Sequence, residues 1–146
     1  MTSSKKRELK VVLDANVWVS ALLWGGKPAE VIKAAETGKA RLFVSEEIVR
    51  EISRVLNYPK LRNVYEAEGL AREELVEEVL KVVKLFTVTR RVKVVVGHPA
   101  DDKFIECALE AKADYIVSGD KHLLKVSGFK GIEVSKPREF IEKYIS

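Results

Sequence analysis

Acidic side chains fall just beyond three short apolar runs of this chain, where a covered sheet would deliver them to one crevice. Asp14 follows Leu9–Leu13, Asp120 follows Tyr115–Val117 after two intervening residues, and Asp102 opens the helical pattern that succeeds the run 92–96. Glu51 sits in the second turn of the helix expected at Glu46–Leu56, near the face that carries Ile48, Ile52 and Val55. Four carboxylates gathered in one crevice repel each other and remain ionised near neutral pH only if cations compensate them. Oxygen ligands with no His or Cys at suitable spacing favour Mg²⁺ or Mn²⁺ over zinc. Such ions lower the pKa of water and offset the charge that builds on a phosphate under attack. The chemistry that needs this arrangement is phosphodiester hydrolysis.

The apolar runs that place these acids are short and β-branched. Leu9–Leu13, residues 41–44, 92–96 and Tyr115–Val117 are too continuous for half-exposed strands and suit a parallel sheet covered on both faces. Helical patterns lie between them. Residues 17–24 and 28–37 are divided by Gly25-Gly26, and Pro28 suits a first helical turn. Ser45 can cap Glu46–Leu56, and Asn57-Tyr58-Pro59 reads as its stop. Residues 72–85 carry Leu75, Val76, Val79, Leu80, Val82 and Val83 at helical spacing, which predicts one long amphipathic helix. A helix over 101–112, a short helix or turn from Asp120 to Lys125, an edge strand at 131–134 and a last helix at 137–144 complete the order. Alternation of strands and helices predicts an α/β three-layer sandwich with a mainly parallel central sheet. In an open sheet of this kind the ligand crevice lies beyond the carboxyl ends of the strands, where the acids fall.

A chain of 146 residues with 47% hydrophobic content is sized for one domain, expected at 9–146 behind a mobile tail at 1–8. The net charge of +4 is a mild pointer to a polyanionic partner. The single cysteine, Cys107, excludes an intrachain disulfide and a multi-cysteine metal site, and suits a reducing cytoplasm. No apolar run approaches the roughly 20 residues of a membrane span, and nothing before Leu9 has the pattern of a secretory signal.

Three runs together resemble PIN-domain nucleases: VLDANVWVSALL at 12–23, VSEEIVRE at 44–51, and DDKFIECA at 101–108 continuing into DYIVSGDK at 114–121. The nearest group is the toxin branch of prokaryotic toxin–antitoxin pairs. The resemblance implies a PIN-like fold and a Mg²⁺- or Mn²⁺-dependent endoribonuclease acting on single-stranded RNA in the cytoplasm. It further implies a dimeric protein neutralised by a small antitoxin. Carried over residue by residue, Asp14, Glu51, Asp102 and Asp120 match the acidic quartet as catalytic and metal-binding residues. Asn16 matches the polar residue after the first acid, and Ser118 the small hydroxyl residue before the fourth. Asp102 is preferred to Asp101 because its spacing to Ser118 and Asp120 agrees with the pattern. Ala100 and His122 depart from it, standing where relatives often carry further acids.

Each acid also has a plain structural alternative. Asp14 and Asp102 can serve as helix caps, Glu51 as a solvated helix acid and Asp120 as a turn aspartate. His98 and His122 read as separate surface histidines, and Cys107 and Trp18 as core. Trp24, before the glycine pair, is open between core, partner contact and base stacking. Lys27, Arg90, Arg91, Lys93 and Lys121 are candidate RNA phosphate contacts. An inert PIN fold that binds RNA or protein is the main alternative. A phosphoacceptor receiver domain would want paired acids after the first strand, and a haloacid-dehalogenase-like phosphatase would want Asp where Asn16 stands.

Overall fold

The computed structural model describes residues 8–145; of the tail expected at 1–8, only Glu8 falls within the described residues. Five strands form one sheet in the order β3-β2-β1-β4-β5, and every pair is parallel. They are β1 (Leu9–Leu13), β2 (Ala40–Ser45), β3 (Val83–Phe86), β4 (Tyr115–Val117) and β5 (Glu133–Ser135). The helices are α1 (Ala15–Leu23), α2 (Gly26–Glu36), α3 (Glu46–Leu56), α4 (Pro59–Ala67), α5 (Arg72–Lys81), α6 (Asp102–Ala111), α7 (Lys121–Leu124) and α8 (Pro137–Phe140). They flank the sheet, and α6 packs against β1, β2, β3 and β4.

Central strands of a covered parallel sheet lose both faces to helices, and the apolar runs show the consequence: Val11, Val12 and Leu13 are fully buried. Each such side chain contributes roughly 1.5–3 kcal/mol over its exposed state. From β1 the chain moves outward through β2 to β3, then returns across the sheet to lay β4 against the free side of β1. The direction of winding therefore changes between β1 and β4. Crevices at such a change are where open α/β sheets bind ligands.

Two expected elements differ. The helix predicted over 72–85 stops at Lys81, and Val83–Phe86 instead pairs with β2 as the edge strand. Residues 92–96 form no strand, and the backbone N–H groups of Val92, Val94 and Val95 are taken by acidic side chains of α6. Pro59, read as a stop, also begins α4 at a first-turn position that needs no N–H. The α1–α2 corner requires glycine: Gly25 and Gly26 both take positive φ, at 79° and 69°.

Candidate active site

β1 carries Asp14 out of the sheet at the change of winding, and the Asp14 N–H donates to Val117 O at 3.1 Å, tying the ends of β1 and β4 together. The Asp14 residue is 4% exposed. Its Oδ1 accepts from the Val17 N–H at 2.8 Å, capping α1, and its Oδ2 accepts from the Ser118 hydroxyl. Ser118 Oγ in turn accepts from the Asp120 N–H at 2.9 Å. Asp120 Oδ1 accepts from the His122 N–H at 2.7 Å and caps α7. Both aspartates are thus helix caps, and capping is also what fixes their carboxylates at the carboxyl end of the sheet.

Charge links three acids here. Burial pushes Asp14 up to about 6; its hydrogen bonds from Ser118 and Val17 act against this, and the charges of Asp120 and Asp101 add to it. Asp101, the last residue of a 3-10 turn over Pro99–Asp101, is also raised, by burial and then by Asp120. His98, Lys103 and His122 offset that rise only in part. The neighbour that reaches Asp14 and Asp120 is therefore Asp101.

Asp102, the residue preferred by spacing, has its Oδ1 turned to a different task. It accepts from the Val94 and Val95 N–H groups at 3.0 and 2.9 Å. One helical step of about 100° separates the two aspartates, enough to send neighbouring side chains to different surroundings. Asp102 is the first rung of a ladder along α6. Glu106 accepts from the Val92 N–H and from Arg91, each at 3.0 Å, and Glu110 accepts from the Thr89 N–H at 3.1 Å. The ladder straps residues 89–95 to the helix.

Glu51 faces inward enough to be shielded, with its side chain 20% exposed, but cations hold both its oxygens. Lys103 Nζ lies 3.0 Å from Oε1, and Arg54 Nη2 lies 2.6 Å from Oε2. Burial, the largest single influence, pushes this carboxyl up, and the hydrogen bonds and charges of Arg54 and Lys103 together bring it below its ordinary value.

Asn16 lies exposed in the first turn of α1. Among the candidate phosphate contacts, Lys27 pairs with Glu30 at 3.3 Å, and Arg91 bridges Glu47 and Glu106 at 2.8 and 3.0 Å. Arg90, Lys93 and Lys121 are exposed. Trp24 is exposed at the α1–α2 corner, which rules out a core role, whereas Trp18 and Cys107 are fully buried. Sequence reading missed the pairing of His98 with His122, whose rings stack with centroids 3.5 Å apart. The available signal was the position of each beside a site acid, His122 after Asp120 and His98 before Asp101. Among the described residues, no three His, Cys, Asp or Glu side chains are grouped closely enough to hold a metal ion.

A parallel sheet with acids and their hydrogen-bonded supports gathered at its winding change defines an α/β domain with an acidic sheet end. The chain belongs to the PIN domain family, whose model matches residues 10–122. PIN domains are generally nucleases. It is 29% identical over 163 aligned positions to the uncharacterized protein MJ1680 of Methanocaldococcus jannaschii, covering 99% of this chain and 97% of that one. Its fold is similar to the crystal structure of PAE2754 from Pyrobaculum aerophilum, with a TM-score of 0.57 and 14% identity over 92% of this chain and 88% of that one. It is also similar to VapBC2 from Rickettsia felis bound to a DNA fragment from their promoter, with a TM-score of 0.60, 10% identity and coverage of 88% and 98%.

Proposed function

We propose that this chain is an endoribonuclease that hydrolyses single-stranded RNA with Mg²⁺ or Mn²⁺. The observation that carries the reading is Asp14, buried at the end of β1, linked through the Ser118 hydroxyl to the Asp120 N–H and raised to about 6 by burial, with the Asp120 and Asp101 charges adding to the rise, a local surplus of negative charge. The surplus fits a divalent cation. Mg²⁺ keeps several waters and binds through one or two carboxylates together with substrate phosphates, so an open set of acids suits it better than a three-residue cage.

One or two of Asp14, Asp101 and Asp120 would hold the ion together with a substrate phosphate, Asp101 taking the place that spacing assigns to Asp102, and Glu51 would join as a fourth acid only on leaving Lys103 and Arg54. A bound divalent cation lowers the pKa of water and offsets charge on the scissile phosphate. Ser118 and the Val17 N–H keep the Asp14 carboxylate from rotating, and the His122 N–H does the same for Asp120. The exposed Arg90, Lys93 and Lys121 are the proposed contacts for RNA phosphates; Lys27 and Arg91 would first have to leave their acid partners.

Incubation of end-labelled single-stranded RNA with the protein and Mn²⁺ or Mg²⁺ tests the reading. Cleavage to 5′-phosphate and 3′-hydroxyl ends is expected, because water attacks phosphorus in line. A 2′,3′-cyclic phosphate end would point to 2′-hydroxyl attack with a base such as His98 or His122 and would overturn it. The inert PIN fold is the second reading, favoured by the engagement of both Glu51 oxygens with Lys103 and Arg54. RNA binding without cleavage under any divalent cation would select it.

The same chain is proposed as the toxin of a toxin–antitoxin pair in the cytoplasm, acting as a single nuclease domain. Support comes from the resemblance of its three motif runs and from the fold it shares with VapBC2. No helix among the described residues is long and apolar enough to cross a membrane. A homodimer is proposed on the exposed Trp24 and Leu80, which leave apolar surface at the α1–α2 corner and on α5 uncovered. A monomeric mass by light scattering at micromolar concentration would remove the dimer, and a short reading frame directly upstream would support the antitoxin.

A further inference from the structure

The stack of His98 on His122 has no part in the proposed hydrolysis, yet the backbone ties it to two of the acids. The His122 N–H donates to Asp120 Oδ1 at 2.7 Å, and the His98 carbonyl accepts from the Asp101 N–H at 3.0 Å. Both histidines are among the groups that hold down the rise that burial and Asp120 give Asp101. Their ring centroids are 3.5 Å apart and their planes within 25° of parallel, so the rings overlap face on face. The pair has an inner and an outer member: His122 is half-buried and His98 exposed. Among the described residues, His122 is the one ring that packs on His98, and no side chain hydrogen-bonds to the His98 imidazole. A tether for the segment before His98 is already supplied by α6, whose acids accept from Val92, Val94 and Val95.

We propose that His98 is the outer ring of a base-stacking platform, on which a nucleobase of single-stranded RNA continues the stack beside the acids. The proposal rests on the reading of the substrate as single-stranded RNA, deepens it by naming what holds a base, and involves no metal ion. Single-stranded RNA offers base faces that a duplex keeps stacked, and aromatic side chains, histidine included, take them. His122 backs the platform and keeps the outer ring from turning edge-on. A platform of this kind reads the flat face of a base and not its donor pattern, so it selects single strands over duplex without demanding one sequence.

The test is the binding of a short labelled single-stranded RNA, followed by fluorescence anisotropy at low ionic strength without divalent cation, so that affinity is read in the absence of cleavage. Abasic replacement of one nucleotide at a time should find a position where wild-type affinity falls about fivefold or more, the scale of one base–aromatic stack. His98→Ala should weaken the intact RNA by a similar factor, and in that variant the abasic replacement should cost about twofold at most, because the two losses remove the same contact. His98→Phe keeps a ring without the imidazole nitrogens and should bind as wild type does. A blunt RNA duplex should not distinguish His98→Ala from wild type. The abasic series needs no variant, so the proposal stays open to test against His98→Phe even where His98→Ala fails to fold. A loss in His98→Phe equal to that in His98→Ala, or no position sensitive to base removal, overturns the proposal and leaves the nuclease reading to the cleavage assay. The expected pattern of binding with no cleavage under Mn²⁺ or Mg²⁺ upholds the platform and overturns the nuclease. Wild type that binds no single-stranded RNA, with or without Mg²⁺, overturns both.

Discussion

Two groups of acids stand in different surroundings. Along α6, Asp102, Glu106 and Glu110 each meet backbone N–H groups, and Arg91 adds its charge to Glu106, so their negative charge is matched within the fold. Around the ends of β1 and β4, Asp14 and Asp101 are instead raised above their ordinary values, first by burial and then by the charge of Asp120, with Asp101 adding to the rise at Asp14. Asp14 and Asp120 also accept backbone N–H groups as helix caps, so what separates the two groups is the added carboxylate repulsion at Asp14 and Asp101.

The largest effect should follow from removing an acid of the unmatched group. Asp14→Asn keeps an oxygen for the Val17 N–H and a polar partner for Ser118, so the fold should survive. RNA cleavage should drop on the order of a hundredfold or more, the loss typical of deleting one electrostatic stabiliser. Cleavage at the wild-type rate by the Asp14→Asn variant would erase the contrast between the two groups.

A second way to sharpen the comparison is pH. The folded-state value of Asp14, about 6, lies above its ordinary 3.8, so the folded protein holds this proton more tightly than the unfolded chain. Its contribution to stability is therefore greatest below about pH 4, declines as pH rises from about 4 to about 6, and levels off above. The full decline is on the order of 3 kcal/mol at about 1.4 kcal/mol per pH unit. Urea midpoints across this range should show the slope in metal-free wild type and a flatter profile in Asp14→Asn. Saturating Mn²⁺ should flatten the wild-type profile as well, by stabilising the ionised form at higher pH.

The matched group should respond in stability instead. Asp102→Ala leaves the Val94 and Val95 N–H groups without their acceptor and should cost about 2 kcal/mol, since each orphaned buried donor carries a penalty of roughly 1–3 kcal/mol that water can partly relieve. Glu110→Gln, on an exposed rung whose amide oxygen can still accept from Thr89, should change the urea midpoint least of all. A large cleavage defect from Glu110→Gln, with stability unchanged, would show that the ladder belongs to the catalytic apparatus.

β1, β4 and their acids are legible in the sequence because a buried parallel strand is a short apolar run and the crevice residue follows it directly. Two errors share one origin. Val82, Val83 and Leu85 extend the helical spacing of α5 with no Gly or Pro to mark the change, so β3 reads as helix. The run 92–96 is β-branched and looks like a strand, but Asp102 and Glu106, seven to fourteen residues downstream, claim its N–H groups. That claim is tertiary and invisible to a local window. The different surroundings of Asp101 and Asp102 are not legible for a related reason: one residue is about 100° of helix, and spacing to Ser118 and Asp120 carries no information on rotation of that size. Glu51 is legible on the inward side of α3, while its capture by Lys103, 52 residues away, needs the fold.

The adjacent aspartates give the most direct test of the central claim. Asp101→Asn and Asp102→Asn should be assayed side by side for Mn²⁺-dependent cleavage of the same labelled single-stranded RNA, with each variant's folding checked by circular dichroism. An asparagine amide in place of the Asp102 carboxylate keeps an oxygen that can accept from Val94 and Val95, so both proteins should fold. Asp101→Asn is expected to lose cleavage by about two orders of magnitude while Asp102→Asn retains it within a few-fold. Loss in Asp102→Asn with activity retained in Asp101→Asn would contradict the account and return the third acid to the position that spacing first assigns.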